Sequence, residues 1–301
     1  MAGNLYILCP GQGAQVVAMG KAAFDASPAA REVFQTANRV LGFDLAALCF
    51  SGPQERLNQT DISQPAIYAA SVASFRHAIE SGLFDAAVVT AYAGLSLGEY
   101  TALHLAGVFS FEDGLRLVWL RGKYMQEAAV ASPSGMVALI GADEPTARRL
   151  CRQAAGGDVL VPANFNAPGQ IVLSGAAAAC QRFVSVAEAE GLRTMPLAVA
   201  GAFHSALMQS AADKMNRELA KVSFSPTAKT VYSNVTARPH GDPESIKRLL
   251  VEQIVSPVRW EQTMQGLLAA GEARYVELSP GRTLAGLAKR INRRLVVESL
   301  G

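Results

Sequence analysis

The chain has 301 residues, of which 50% are hydrophobic and 17% are charged, so it can bury a substantial core and is not typical of disordered proteins. Its formal net charge of +2 argues against broad nucleic-acid binding, but leaves room for a local basic patch that meets an acidic partner. A chain of this length suits one large domain that carries a smaller one.

The cysteines are isolated and form no C-x-x-C or Cys/His cluster. This spacing indicates neither a zinc site nor a disulfide framework, and the apolar surroundings favour buried, reduced thiols. The sequence shows no signal peptide, and no apolar run reaches the roughly 18–20 residues of a membrane-spanning helix. We therefore expect a cytoplasmic protein without a metal site or a membrane segment. The four cysteines are Cys9, Cys49, Cys151 and Cys180.

The first predicted strand, residues 5–9, leads into the turn PGQGAQ at 10–15, which contains Gln12. A dinucleotide fingerprint would need a third glycine at Val16, and a P-loop would need Gly-Lys-Ser/Thr, so both phosphate-binding motifs are excluded. Two interpretations of the turn remain. It is either a plain structural turn or a loop whose amides face a reaction centre.

A buried strand is predicted at 86–91 and a helix at 100–106, and the pattern G-x-S-x-G lies between them at 94–98. In that position the pattern is typical of a nucleophile elbow, because its glycines allow the sharp turn that exposes the serine. The Ser96 hydroxyl would then project at the carboxyl end of the sheet. The amide of Leu97, at the start of the helix, can face a developing oxyanion.

The next predicted helix begins near Ser110 and places Arg121 within the apolar sequence LVWLRG. Leu117 and Met125, one turn away on either side, share its face of the helix. A charge in that setting is costly unless it meets an anion. The residues alone leave two interpretations open. Arg121 either reaches water or a structural carboxylate, or it binds an anionic ligand.

The segment that starts at residue 136 has the predicted order β-α-β-β-α-β, which is typical of a ferredoxin-like domain. We expect this small domain to span residues 128–199. It would be inserted into a large α/β domain formed by residues 1–127 and 200–301. The predicted elements are a strand at 136–140, a helix at 144–154, strands at 159–165 and 170–173, a helix at 176–190 and a strand at 193–199.

His204 lies at or just before the amino end of the helix that follows this insertion. The helix dipole disfavours imidazolium there, so we expect a neutral side chain that can accept a proton. A lone histidine is more often structural than catalytic, and His204 becomes a candidate base only if it meets Ser96. The other histidines, His77, His104 and His240, are expected to be structural or solvent-facing.

The helix predicted from Asp242 carries Gln253 on its apolar face. A buried amide needs a hydrogen-bond partner, and nearby backbone could supply one. A final core strand at 275–278 is followed by a helix that contains Lys289 and Arg290. That basic pair is expected to form a solvated face, with the docking of phosphate or an acidic protein as the alternative.

Eight short motifs follow one another along nearly the whole chain. They are PGQGAQ at 10–15, SQPA at 63–66, GLSLGEY at 94–100, LRGKYMQ at 120–126, NFNAPGQ at 164–170, GAFHS at 201–205, SPVRW at 256–260 and PGRTL at 280–284. In this order they resemble the malonyl-CoA:acyl carrier protein transacylases, a family that includes the acyltransferase domains of fatty acid and polyketide synthases. The resemblance implies an α/β fold, with an α/β-hydrolase-like large domain around a parallel sheet core and an inserted ferredoxin-like small domain.

The resemblance also implies a role for each matching residue. Ser96 would be the nucleophile, and His204 would be its base and later the acid that protonates the departing thiolate. The amides of Gln12 and Leu97 would form the oxyanion hole. Arg121 would bind the free malonyl carboxylate as a two-pronged pair, a geometry that lysine cannot copy.

Further positions carry over from the same family. Gln253 would orient His204 through its backbone carbonyl, where a Ser/His/Asp hydrolase uses an acid. Phe203 would select malonyl, because its bulk would crowd an α-methyl group. Leu95 departs from the family pattern, which usually has histidine before the nucleophile. That position is not thought to carry the proton transfer, so catalysis is still expected.

The implied reaction moves a malonyl group from malonyl-CoA to the phosphopantetheine thiol of acyl carrier protein through a malonyl-serine, and so supplies chain-extender units for fatty acid synthesis. It needs neither a metal nor a cofactor, because the coenzyme A thioester is itself a substrate. We expect a monomer whose partners are malonyl-CoA and acyl carrier protein, without nucleic acid or membrane.

Two other classes of function share part of this pattern. A serine hydrolase with an α/β fold would have the same elbow and the same order of serine before histidine. It predicts an Asp or Glu partner for His204, and it has no need for Arg121. A non-catalytic module that docks carrier protein would not require an intact Ser96, and so fits the sequence less well.

Overall fold

Two β-sheets, one parallel and one antiparallel, organise the chain in a computed structural model that describes residues 4–300. The parallel sheet has the strand order β7-β2-β1-β8-β9, and the antiparallel sheet has the order β4-β5-β3-β6. The strands are β1 (Asn4–Cys9), β2 (Val89–Gly94), β3 (Ser134–Ile140), β4 (Leu160–Ala167), β5 (Gln170–Ala176), β6 (Arg193–Pro196), β7 (Thr230–Val231), β8 (Ala273–Glu277) and β9 (Val297–Ser299).

Helices cover both faces of the parallel sheet and one face of the antiparallel sheet. They are α1 (Lys21–Ala26), α2 (Pro28–Leu41), α3 (Leu45–Ser51), α4 (Gln54–Leu57), α5 (Thr60–Glu80), α6 (Leu97–Leu105), α7 (Phe111–Val130), α8 (Glu144–Ala155), α9 (Ala177–Ala189), α10 (Gln209–Leu219), α11 (Pro243–Gln253), α12 (Trp260–Ala269) and α13 (Thr283–Ile291). Two short 3-10 helices lie at Ala86–Val88 and Ala206–Met208.

The central strand β1 is a nearly continuous apolar run, as expected for a parallel strand that is buried on both faces. Its last residue, Cys9, pairs with Gly94 at the end of β2, and Leu8 pairs with Glu277 at the end of β8. The carboxyl ends of three neighbouring strands therefore meet at one edge of the sheet, where ligands bind in open α/β sheets.

The antiparallel sheet confirms the predicted β-α-β-β-α-β order, with α8 and α9 packed on one face over their own apolar core. Backbone hydrogen bonds tie this sheet to the rest of the chain. The Val258 amide donates to Ala163 O at 2.8 Å, and the Phe165 amide donates to Val258 O at 2.9 Å. The domain boundaries at 128 and 199 stay a prediction, and residue 128 falls within the last turn of α7.

Two strand predictions differ from the structure. The segment predicted as a strand at 86–91 begins as a 3-10 turn, because the Asp85 carboxylate accepts from the Ala87 amide, and β2 starts only at Val89. The strand predicted to run to residue 199 ends at Pro196, and one further backbone hydrogen bond follows it, from the Leu197 amide to Met136 O at 3.0 Å. The strands β7 and β9 were not predicted, because two or three residues show no periodicity.

All four cysteines are buried and unpaired, as expected. Burial raises the pKa of each thiol above its ordinary value, so none is poised as a thiolate. Among the helices of residues 4–300, none combines the length and the apolar character that crossing a membrane requires.

The turn between β2 and α6 depends on glycines that have no room for a side chain. A Cβ on Gly94 would overlap the backbone of Gly98, and a Cβ on Gly98 would overlap Cys9 O. Gly94→Ala should therefore destabilise the fold by about 1–3 kcal/mol or more, as overpacked cores do. Chemical unfolding would measure the loss. Gly135→Ala is the matched control, because its Cβ would meet nothing within 4 Å; equal losses in the two variants would contradict the close packing.

Candidate active site

Ser96 occupies the sharp turn between β2 and α6, at the carboxyl edge of the parallel sheet. Its backbone is in the left-handed region with φ at 52°, which is rare and strained for a residue other than glycine. The Asn234 side chain holds the turn from behind, accepting from the Ser96 amide at 2.6 Å and donating to Gly94 O at 2.7 Å. The hydroxyl therefore projects from a backbone that is fixed on both sides.

His204 faces this hydroxyl, with Nε2 lying 2.8 Å from Ser96 Oγ. Its other ring nitrogen, Nδ1, lies 2.7 Å from the backbone carbonyl of Gln253. A carbonyl can only accept, so Nδ1 carries the proton and Nε2 is left with a lone pair toward the serine. This tautomer is the one that can take a proton from Ser96. His204 also has a positive φ, of 58°.

The His204 imidazole is neutral in this setting. Burial, and next the positive charge of Arg121, lower its pKa from 6.5 to about 4. The neutral state expected from the sequence is thus present, but its principal cause is burial. The 3-10 helix at Ala206–Met208 separates His204 from α10, so the longer helix does not begin at the imidazole.

Arg121 is only 1% exposed, and its guanidinium lies beside the Ser96 hydroxyl. Nη2 donates to Ser96 Oγ at 3.0 Å and to Gln253 Oε1 at 2.8 Å, while Nη1 donates to Gln64 Oε1 at 2.8 Å. The Nε atom is buried without a hydrogen-bond partner in residues 4–300. No carboxylate of those residues lies within ion-pair distance of the guanidinium. The buried cation thus has an unused donor on the edge that faces Ser96.

The amides of Gln12 and Leu97 border the same site. Leu97 is the first residue of α6. Gln12 lies in the turn after β1, and the adjacent residue Gly11 packs against Leu95 O in the elbow. Neither amide finds an acceptor among the residues that the structure describes. Two backbone N–H groups without acceptors, placed beside a serine, are the groups from which an oxyanion hole can be built.

A cleft of about 410 Å³ opens over Ser96 and His204, between the two sheets. Phe203 and Leu95 line this cleft together with Ser96 and His204. The antiparallel sheet supplies polar groups to the opposite wall. They come from Asn164, Asn166 and Gln170.

Three buried polar residues at the site were given no role in the sequence analysis. One is Glu99, whose Oε1 lies 2.6 Å from His240 Nε2, a contact that fits the structural role expected for His240. A signal existed for Glu99, since a carboxylate that follows the elbow in an apolar stretch needs a partner. The other missed residues are Gln64 and Asn234.

The histidines His77 and His104 lie in α5 and α6 and do not reach the cleft. Within residues 4–300 no group of three or more His, Cys, Asp or Glu side chains is placed to hold a metal ion. Lys289 and Arg290 are exposed on α13, the helix that contributes Thr283 and Leu287 to the cleft wall.

Comparison with known proteins gives consistent results. The family described as "Acyl transferase domain" matches residues 6–294. The malonyl CoA-acyl carrier protein transacylase of Salmonella typhimurium is 42% identical over 292 residues, covering 97% of this chain and 94% of the relative.

Solved structures agree with this result. The malonyl CoA-acyl carrier protein transacylase from Coxiella burnetii superimposes with a TM-score of 0.96 at 38% identity, covering 100% of this chain and 94% of the other. A malonyl-transacylase in complex with a type II PKS acyl-carrier protein has a TM-score of 0.92 at 39% identity, covering 99% of this chain and 95% of the other. The chain therefore belongs to the acyl transferase family, among the malonyl CoA-acyl carrier protein transacylases.

Proposed function

We propose that this protein transfers a malonyl group from malonyl-CoA to the phosphopantetheine thiol of acyl carrier protein, with Ser96 as the covalent carrier. One observation supports the proposal most directly. The same oxygen, Ser96 Oγ, lies within hydrogen-bond distance of a neutral base, His204, and of a buried cation, Arg121, that has no carboxylate partner. The names of the relatives supply the two substrates.

In the first step His204 Nε2 takes the proton of Ser96 Oγ as the oxygen attacks the thioester carbonyl. The tetrahedral oxyanion accepts from the amides of Gln12 and Leu97, each of which contributes about 2.7–4 kcal/mol in comparable enzymes. When the C–S bond breaks, His204 returns the proton to the sulfur. Coenzyme A leaves as a thiol, and the malonyl group remains as an ester on Ser96.

In the second step the carrier's thiol enters the same cleft and gives its proton to His204 Nε2. The sulfur attacks the malonyl ester through a second tetrahedral intermediate, and the proton returns to Ser96 Oγ. Each product leaves before the next substrate binds, which is the order of a ping-pong mechanism. The exchange of a thioester for a thioester is neither an oxidation nor a reduction, so the proposed chemistry balances without a further reactant.

Arg121 would hold the free carboxylate of the malonyl group. Its Nε and Nη2 atoms share one edge of the guanidinium, and this fork matches the two oxygens of a carboxylate. The unpartnered Nε atom supports this role, because a buried donor without an acceptor costs about 1–3 kcal/mol until a ligand supplies one. Phe203, which lines the cleft, would limit substitution at the α-carbon.

The hydrolase alternative is disfavoured by the partner of His204. A Ser/His/Asp hydrolase would place a carboxylate at Nδ1, whereas this nitrogen donates to the carbonyl of Gln253. In residues 4–300 no Asp or Glu lies within ion-pair distance of His204. A docking module without catalysis would not explain why His204 and Arg121 both converge on the side-chain oxygen of Ser96.

Ser96→Ala should abolish the covalent malonyl adduct that forms when the protein is mixed with malonyl-CoA. Intact-mass analysis would detect the adduct on the wild type and then follow its loss when holo-acyl carrier protein is added. Ser174→Ala is the matched control, because it removes a serine hydroxyl from β5 of the small sheet, at a position that does not line the cleft. An adduct that persists on Ser96→Ala, or one that is released as fast without carrier as with it, would contradict the proposed transfer.

Arg121→Ala should lower the rate of acylation by malonyl-CoA by about 10- to 150-fold, which corresponds to the ~1.5–3 kcal/mol of a hydrogen bond to a charged group. The rate with acetyl-CoA, which has no carboxylate, should change much less. Single-turnover acylation would measure both rates. Arg121→Lys keeps the charge but not the fork, so it should recover only part of the preference; an unchanged malonyl-to-acetyl ratio in Arg121→Ala would exclude the carboxylate role.

The pH dependence of acylation should report the low pKa of His204. Only the neutral imidazole accepts the serine proton, so the acylation rate is lost as the pH falls through the pKa of about 4, well below the ordinary 6.5. In Arg121→Ala a positive charge is removed, so this acidic limb should move to higher pH. Single-turnover rates with acetyl-CoA between pH 4 and 8 would measure the limb, and a wild-type midpoint near 6.5 would contradict the buried, neutral base.

A further inference from the structure

Behind the nucleophile lies a buried carboxylate that the proposed mechanism does not use. Glu99 is in the first turn of α6, three residues after Ser96, and it is 0% exposed. It accepts three hydrogen bonds: from the Asn234 amide at 3.0 Å, from Gln253 Nε2 at 2.7 Å and from His240 Nε2, which lies 2.6 Å away. A carboxylate removed from water in this way is tolerated only because its acceptor sites are filled.

The Gln253 side chain joins this carboxylate to Arg121. Gln253 Oε1 accepts from Arg121 Nη2 at 2.8 Å, and Nε2 donates to Glu99 Oε2 and to Ser96 O, the latter at 3.0 Å. Both hydrogens of the amide and its oxygen are therefore used. The same residue also accepts from His204 through its backbone carbonyl.

The two neighbours fix which way the amide points. A guanidinium only donates, so the atom that faces Arg121 must be the oxygen. A carboxylate only accepts, so the atom that faces Glu99 must be the nitrogen. In the flipped amide, two donors would meet at Arg121 and two acceptors would meet at Glu99. Without the Glu99 acceptor, Gln253 Nε2 would keep only Ser96 O at 3.0 Å and Asn234 Oδ1 at 3.5 Å as acceptors, and the amide would be held less firmly against Arg121.

We infer that Glu99 is a positioning residue for acyl selection. By locking the Gln253 amide, it holds the Arg121 guanidinium with its Nε–Nη2 edge turned toward Ser96 Oγ. Glu99 touches neither the substrate nor the reacting oxygen, and it acts through Gln253. This inference rests on the proposed function, because it assigns to Glu99 the orientation of the group that would bind the malonyl carboxylate.

Two variants of equal length separate this role from a general structural one. Glu99→Gln keeps an oxygen that can accept from Gln253 and Asn234, while its new amide can donate to His240 Nε2. Glu99→Met fills the same space without an acceptor. If Glu99→Met does not fold, Glu99→Asp is measured instead, because its shorter side chain withdraws the carboxylate by one methylene.

The measured quantity is the ratio of the single-turnover acylation rates of Ser96 with malonyl-CoA and with acetyl-CoA. In Glu99→Met this ratio should fall by about tenfold, the lower end expected when a hydrogen bond to a charged group is lost. In Glu99→Gln it should stay within about twofold of the wild type. In the Arg121→Ala background, Glu99→Met should leave the ratio unchanged, since the group that it positions is absent.

Glu277 supplies a matched control, as a second fully buried carboxylate, which caps α13 by accepting from the amides of Leu284 and Ala285. Glu277→Gln should lower the thermal midpoint and leave the ratio unchanged. The inference would be overturned if Glu99→Met slowed acylation by both thioesters equally. It would also be overturned if Glu99→Met still lowered the malonyl-to-acetyl ratio in the Arg121→Ala background. A wild-type protein that forms no malonyl adduct would instead refute the proposed function itself.

Discussion

Close packing of backbone against backbone at the end of the central strand governs the geometry of the whole site. Gly98, in the first turn of α6, lies directly against the carbonyl of Cys9, and the amide of Leu95 donates to the same carbonyl at 3.1 Å. Gly11 in turn lies against Leu95 O. The elbow and the turn after β1 are therefore fixed to each other. The distance between the amides of Gln12 and Leu97 is set by the packing of main chain and not by flexible side chains.

The buried charges are arranged around that fixed backbone. Arg121 and Glu99 carry opposite charges, yet they do not touch, because the amide of Gln253 lies between them. A direct ion pair would satisfy both groups and would leave little attraction for a substrate. Separation by a neutral amide keeps each group hydrogen-bonded and preserves one free donor on the guanidinium. Gln253 also accepts from His204 through its backbone carbonyl, so one residue contacts both the imidazole and the guanidinium.

Local sequence patterns were sufficient for the elbow and for the order of elements in the small domain. A glycine-bounded serine between an apolar run and a helix is a signal carried by neighbouring residues, and the alternation of strands and helices from residue 136 onward is equally local. The contact between Asn234 and Glu99 joins positions 135 residues apart, and no periodicity encodes it. His240 does lie in a loop, as its composition predicts, but the contact of its side chain with the buried Glu99 carboxylate joins positions 141 residues apart. The family resemblance supplied no role for Asn234, which lies outside the quoted motifs, and none for Glu99, which lies within one of them.

Two backbone hydrogen bonds between Val258 and the strand β4 bear on how water is kept out of the cleft. Because these bonds tie the antiparallel sheet to the body of the chain on both sides of one residue, rotation of that sheet over Ser96 would break them. These bonds therefore oppose closure of the cleft by movement of the antiparallel sheet. In the proposed mechanism, the long thioester arm of the donor or of the carrier would itself have to keep bulk water out of the cleft. The proposed acyl ester would be most vulnerable to hydrolysis while neither arm is inserted, so the lifetime of the intermediate would depend on how quickly one substrate follows the other.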